Sequence, residues 1–266
     1  MITSTGNPQI KNLAALMKKP RERRAQRAFV AEGERLCLEA PKELLMQMFV
    51  SESYLAVPGH ETALDGRRYE VVSDGVFASV SDTQTPQGIL AVVRMPEYGE
   101  KELLCGERTH LLILESIQDP GNLGTMFRTG EGAGITGVIM NPSTVDLFNP
   151  KVVRATMGSI YRLPYRIVED LPAELAALRR EGVHLYAAHL GGAVSYDMPD
   201  YTGSCGFLVG NEGNGLTEET AALAEKIKIP MEGRVESLNA AIAATLLMYE
   251  CSRQRRNRSS AYENMV

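Results

Sequence analysis

The chain has 266 residues, 44% of them hydrophobic and 23% charged, with a net charge of −5. That length suits two compact units, and the composition supports buried cores, which excludes fibrous and disordered classes. No apolar run reaches the ~18–20 residues that cross a bilayer, and the opening MITSTGNPQIKNLAALMKKP lacks a signal-peptide core, so a cytoplasmic protein with no membrane partner is expected.

Cys37, Cys105, Cys205 and Cys251 are widely separated, with no CxxC pair and no histidine at zinc-ligand spacing, so they read as reduced structural residues. His184 and His189 fall in HLYAAH, which lacks the glutamate and helical spacing of a metalloprotease motif, and no metal site is expected. Charge is segregated. Lys11, Lys18, Lys19, Arg21, Arg23, Arg24 and Arg27 face a single acid, Glu22, for +6, and Arg253, Arg255, Arg256 and Arg258 add +4, leaving −15 for the remainder. Two basic segments on an acidic body suit local contact with phosphate, although a basic run by itself is usually a solvated helix face.

In chain order, Ile10, Leu13, Leu16 and Met17 recur at helical spacing, and the basic residues continue as one helix to Arg27. AFVAEG reads as a strand, RLCLEA as a helix stopped by Pro41, LLMQMFVS as a strand, DGVFASVSD as a short helix capped by Ser73 or Asp74, SDTQTP as a turn, and YEVVS and GILAVVR as strands. PEYGEKELLCGERT has no clear periodicity, which places a linker at 97–108 between domains at 1–96 and 109–266. Beyond it, HLLILES is a continuous apolar run of the kind buried on both faces of a parallel sheet. Strands at GVIM, HLYAAH, GFLVG and IKIP alternate with helices at NLGTMFRTGEGA, PKVVRATMGS, PAELAALRREG and from Asn239 to about Arg253. The expected class is therefore α/β, with a parallel sheet covered by helices on both faces in the second domain and a small α/β unit in the first.

Three segments carry candidate chemistry. In ESIQDPGNLGTMFRTGEGAG a buried strand turns into a helix beginning near Asn122, which is placed to cap it, with Arg128 six positions on. The GKS or GKT of a phosphate-binding P-loop is absent, which disfavours an NTPase. In GFLVGNEGNGLTEET three glycines within six residues leave backbone open to a flat ligand, with Glu212 among them. In IKIPMEGRVESLNAAIAATLLMYE, Ser237 and Asn239 precede a helix that needs only one cap.

In order and spacing, DPGNLGTMFRTGEGAG, LVGNEGNGL and IPMEGRVESLNAAIA resemble the three signature motifs of SpoU, or TrmH-type, methyltransferases of the SPOUT class. The residues ITSTGNPQIKNLAALMKKPRERRAQRAFVAEGERL and TPQGILAVV more loosely resemble the amino-terminal L30e-like domain that binds RNA substrates in many members. Gly130 stands where members often have Ala, and Ala241 where a Ser is common.

The resemblance implies a carboxy-terminal trefoil knot and methyl transfer from S-adenosylmethionine to a ribose 2′-hydroxyl of structured RNA, ribosomal before transfer RNA. It implies that Leu208, Val209, Gly210, Asn211, Gly213, Ile229, Met231 and Leu238 hold the cofactor, and that Asn122, Arg128, Glu212, Ser237 and Asn239 line the reaction site. Lys11, Lys18, Lys19, Arg21, Arg23, Arg24 and Arg27 would carry RNA backbone, and a homodimer would form through the carboxy-terminal domain. Arg128 is either a base uncovered by RNA or a clamp on phosphate and alkoxide; since a guanidinium keeps its protons in proteins, the clamp is favoured. A non-catalytic RNA-binding protein with this fold and a dinucleotide oxidoreductase are the competing classes, the latter weakened by the missing GxGxxG.

Overall fold

The computed structural model describes residues 1–104 and 108–263, with side chains through 258; Cys105 lies outside the described residues. The chain forms two compact units, one of Met1–Glu97 with Asp146–Tyr161, the other of Tyr98–Val145 with Arg162–Val266. No helix among the described residues is long and apolar enough to cross a membrane.

The first unit contains β1 (Ala28–Glu32), β2 (Leu45–Ser51), β3 (Glu70–Val72) and β4 (Ile89–Arg94), in spatial order β1-β4-β2-β3. The β3 strand runs parallel to β2, and the other pairs are antiparallel. The helix Pro8–Lys18 starts where the Asn7 side chain accepts the Gln9 N–H, and it buries Ile10, Leu13, Leu16 and Met17 in a core with Val30, Phe49 and Leu90.

The single basic helix expected to run on to Arg27 is two. Lys19 is extended (φ −119°, ψ 108°) because Pro20 disfavours helical backbone before it, and a second helix, Pro20–Gln26, starts with that proline. Lys11, Lys18, Lys19, Arg21, Arg24 and Arg27 are exposed, and Arg27 pairs with Glu97 at 2.6 Å. Arg23 is not a phosphate contact. It is 2% exposed, with Nε and Nη2 on Asp146 Oδ2 at 2.9 and 2.6 Å and Nη1 donating to the Leu16 and Met17 carbonyls.

Asp146–Tyr161, which the sequence assigns to the second domain, completes the core of the first unit. Phe148 stacks on Phe29 with centroids 4.9 Å apart, the Tyr161 hydroxyl donates to the Leu36 carbonyl, and the helix Pro150–Thr156 packs on β1. From that helix Arg154 reaches Asp82 at 2.8 Å and the buried Glu32 at 3.5 Å. Glu32 also accepts from Ser81, Thr83 and the Asp82 N–H, which fixes the SDTQTP turn.

The second unit holds a seven-stranded, wholly parallel sheet. Its strands are β5 (His110–Leu114), β6 (Gly137–Met140), β7 (Tyr165–Ile167), β8 (His184–Ala188), β9 (Val194–Ser195), β10 (Cys205–Val209) and β11 (Glu225–Lys228), in spatial order β7-β6-β5-β10-β8-β11-β9. Every residue of the neighbouring strands β5 and β10 is buried, as their continuous apolar runs require. Part of the expected linker is built into this unit: the short helix Glu100–Leu103 buries Leu103 against Leu111, Ile113 and Ile139. The final helix runs from Ala240 to Glu263, beyond the expected end near Arg253. Cys205 and Cys251 are buried free thiols with Sγ atoms 3.7 Å apart. Because the sheet is parallel, the exits of β5, β8, β10 and β11 share one edge, and the candidate motifs leave from it.

Candidate active site

At the exit of β5, Ser116 adopts left-handed backbone (φ 59°) and turns the chain out of the sheet. Its N–H donates to Asn141 Oδ1 at 2.8 Å, and its carbonyl accepts from Asn211 Nδ2 at 2.9 Å. A non-glycine residue in this region stores local strain, which the bonds on both sides hold in place.

The next helix begins at Pro120, and its cap is Asp119, whose Oδ1 accepts the Asn122 N–H at 2.8 Å. The expected capping role of Asn122 is thereby corrected: an aspartate followed by proline at the first helical position is itself a start signal. The Asn122 side chain is released for other partners. Its Nδ2 donates to Glu212 Oε1 at 2.9 Å, and its Oδ1 accepts from Asn239 Nδ2 at 2.9 Å. Asn239 Oδ1 accepts the Ala241 and Ile242 N–H groups, so Asn239, rather than Ser237, caps the final helix.

Glu212 also accepts the Gln118 and Asp119 N–H groups, each at 3.0 Å. A carboxylate, two amides and a helix start thus form one chain across the three motif loops, with every amide orientation set by its partners. Partial burial raises the Glu212 pKa, but the bonds from Asn122, Gln118 and Asp119 outweigh it and hold the carboxyl below its usual range. A depressed folded-state pKa gives stability that is present above the unfolded value and lost as pH falls through the folded one. In thermal melts, the advantage of wild type over Glu212→Gln is therefore expected to be full near neutral pH, to decline once pH falls below the ordinary carboxylate value of about 4.3, and to vanish only after pH has passed the depressed folded value.

Between β10 and Thr217 the chain closes on itself. Asn211 and Gly215 exchange backbone hydrogen bonds at 3.0 and 2.9 Å, and Asn211 Oδ1 accepts the N–H groups of Gly213 and Asn214. A Cβ on Gly210 would lie 2.2 Å from the Gly215 carbonyl carbon, against backbone that cannot yield. Gly210→Ala is expected to cost about 1–3 kcal/mol and to weaken cofactor binding, measured by chemical denaturation and calorimetry. The buried Glu115, missed in the sequence reading, anchors the far end by accepting from Thr217 N at 2.7 Å, Thr217 Oγ1 at 2.9 Å and Thr220 Oγ1 at 2.6 Å. Its sequence signal was a carboxylate directly after an apolar strand.

These loops and the final helix enclose a cavity of about 660 Å³. Of the expected cofactor residues, Val209, Gly210, Asn211, Gly213, Ile229, Met231 and Leu238 line it, as do Glu212 and Ser237. Leu208 does not. It is fully buried in the core with Leu175 and Leu185, because its neighbour Val209 takes the cavity-facing position. Arg128 is exposed on the helix Pro120–Ala133, with no hydrogen bond or ion pair to it among the described residues. The glycine at 130 has a local reason: a Cβ there would sit 2.6 Å from Ile135 Cδ1.

A parallel sheet whose strand exits gather a ligand-sized cavity beside a convergent polar chain defines an α/β enzyme that works on a bound ligand at that edge. The model of the SpoU rRNA methylase family matches residues 109–249, and that of the MRM3-like substrate-binding domain matches residues 7–91. The chain belongs to the SpoU rRNA methylase family and is a methyltransferase. It is 37% identical over 254 residues, 93% of this chain and 97% of the relative, to the 23S rRNA (guanosine(2553)-2′-O)-methyltransferase RlmP of Bacillus subtilis (strain 168).

Among solved structures, an AdoMet-bound rRNA methyltransferase from Sinorhizobium meliloti superposes with a TM-score of 0.83 at 30% identity, covering 95% of this chain and 97% of that one. The SpoU methyltransferase AviRb from Streptomyces viridochromogenes, in complex with AdoMet, superposes with a TM-score of 0.84 at 26% identity, covering 94% and 98%. Membership carries the family's methyl donor, S-adenosylmethionine. The cavity fits that donor: its volume suits a nucleoside-sized ligand, Val209, Ile229 and Leu238 offer an apolar wall to a flat base, and Glu236 places a carboxylate where a cationic ligand would be favoured.

Proposed function

We propose that the chain methylates a ribose 2′-hydroxyl in structured ribosomal RNA. The observation that carries this reading is the chain Glu212–Asn122–Asn239, which joins the three motif loops where Glu212 lines the cavity, with an exposed Arg128, unpaired among the described residues, on the same helix as Asn122. S-adenosylmethionine supplies the methyl group when bound. The protein's part is to place the ribose oxygen about 3 Å from that methyl, in line, which accounts for much of the rate. Glu212 fixes Asn122, Asn122 and Asn239 fix each other, and Ser237 presents a hydroxyl at the cavity. Arg128 clamps an RNA phosphate and stabilises the alkoxide that develops as the ribose hydroxyl gives up its proton to solvent water, the thioether leaving as S-adenosylhomocysteine.

Residues 1–96 act as the RNA-binding domain, with Asp146–Tyr161 completing its core, and the rest of 109–266 as the catalytic domain in this reading, which the matches over residues 7–91 and 109–249 support. The exposed Lys11, Lys18, Lys19, Arg21, Arg24 and Arg27 carry RNA backbone, a contribution that falls steeply with salt. The final helix leaves Ile242 and Tyr249 50% and 42% exposed, which supports a second copy of the chain packing there as a homodimer, placed in the cytoplasm by this reading. Ribosomal RNA is favoured by the relative from Bacillus subtilis, whose name specifies 23S rRNA. The test is a map of 2′-O-methyl sites in total RNA from cells with and without the gene. Loss of a site in ribosomal RNA is expected; loss confined to transfer RNA would move the substrate, and no loss would overturn the reading.

A further inference from the structure

Asn141 directly follows β6, the strand beside β5, and it does not line the cavity. Its side chain is nevertheless committed to the loop that opens the first motif. Oδ1 accepts the Ser116 N–H at 2.8 Å and the Thr144 hydroxyl at 3.0 Å, and Nδ2 donates to Ser116 Oγ at 3.1 Å. A backbone N–H can only donate, so the orientation of this amide is fixed. The residue it grips is the one that turns the chain out of the sheet. Ser116 is left-handed, a conformation that an L side chain disfavours because its Cβ crowds the following carbonyl. The turn is thus held from a neighbouring strand and not by the preference of Ser116 itself.

The direction in which the chain leaves Ser116 decides what the next residues meet. The N–H groups of Gln118 and Asp119 reach the Glu212 carboxylate at 3.0 Å each, and Asp119 then starts the helix that carries Asn122 and Arg128. The Gln118 Nε2 donates both to the Ser116 carbonyl at 3.1 Å and to the Ser143 carbonyl at 2.7 Å, so the loop after β6 grips the turn at a second point. We propose that Asn141 is a positioning residue for methyl transfer: it holds the Ser116 turn, and through that turn it brings the Gln118 and Asp119 N–H groups onto Glu212, which in turn sets Asn122. This rests on reading the Glu212–Asn122–Asn239 chain as the reaction centre.

Steady-state methyl transfer from S-adenosylmethionine to ribosomal RNA isolated from cells lacking the gene tests this on the full chain, assayed below the melting transition of each variant. Asn141→Ala is expected to lower kcat by about tenfold while the KM for RNA stays within about twofold of wild type, because the side chain acts on the geometry of the reaction centre and not on the substrate. Glycine takes up left-handed backbone without steric cost, so a Ser116→Gly chain has little need of the anchor, and there the same replacement is expected to lower kcat by less than about threefold. Asn141→Ser, one atom too short to keep both bonds, carries the same comparison if Asn141→Ala does not fold. An equal loss of kcat in both backgrounds would show that Asn141 acts by some route other than the turn and would overturn the proposal. Wild-type kcat in Asn141→Ala, or a raised KM with kcat unchanged, would overturn it as well and leave the reading of the reaction centre intact. If the wild-type chain transfers no methyl group to this RNA, that reading itself fails and the inference with it.

Discussion

Arg128→Ala is expected to lower kcat by about a thousandfold while S-adenosylmethionine binding, measured by calorimetry, stays within twofold of wild type. The guanidinium sits on a well-formed helix outside the cavity lining, so its removal should spare the donor. Being exposed and unpaired among the described residues, it has no carboxylate to compensate and meets RNA with its full charge. Arg128→Lys separates the two roles. A clamp needs the planar fork that holds two oxygens at once, and lysine keeps only the charge, so this variant should recover little of the lost kcat and keep the wild-type pH profile. A lysine enzyme with substantial activity and a pH profile displaced toward the lysine range would instead identify position 128 as the proton acceptor.

The parts of the fold that were legible are those whose signal is local. HLLIL and CGFLV read as buried parallel strands because strands covered on both faces need continuous apolar runs, and they are the adjacent strands β5 and β10. The strands β7 and β9 escaped detection because three and two residues are too few to show a period, and half-buried Tyr165, Arg166, Val194 and Ser195 carry no clear alternation. The passage of Asp146–Tyr161 into the first unit was illegible for another reason. Its determinants are Phe29 against Phe148, Leu36 against Tyr161 and Glu32 against Arg154, pairs more than one hundred positions apart. Nothing in PKVVRATMGS distinguishes a helix that covers one sheet from a helix that covers another.

The same limit applied to the candidate site. Resemblance selected Asn122, Glu212, Ser237 and Asn239 as a set, but which of them caps a helix and which faces a ligand depends on pairings across loops. The Asp119-Pro120 step could have been read as the helix start, which would have freed Asn122 from the capping role in advance. Glu115 carried only a weak signal, a carboxylate after an apolar strand, and needed the pairing of β5 with β10 and the loop that follows β10 to acquire a function.

Arg23 shows the cost of inferring a surface from a run of charge, and its replacement should have a large effect on the stability of the amino-terminal unit. Four hydrogen bonds leave its guanidinium: two to Asp146 Oδ2 and one each to the carbonyls of Leu16 and Met17, at the end of the first helix. Truncation removes them together and leaves Asp146, 21% exposed, without its counter-charge. Breaking a buried pair from one side costs about 3–5 kcal/mol, so Arg23→Met should lower the melting temperature by roughly 10 °C or more. Asp146→Leu in the same chain should restore part of the loss, because an apolar pair avoids the stranded carboxylate. The salt dependence of RNA binding separates this anchor from its neighbours. Arg21→Gln and Arg24→Gln should each reduce the slope of log affinity against log salt by up to about one, as the loss of a phosphate contact requires. Arg23→Met, measured below its melting transition, should leave that slope unchanged; a reduced slope would return Arg23 to the RNA-binding surface.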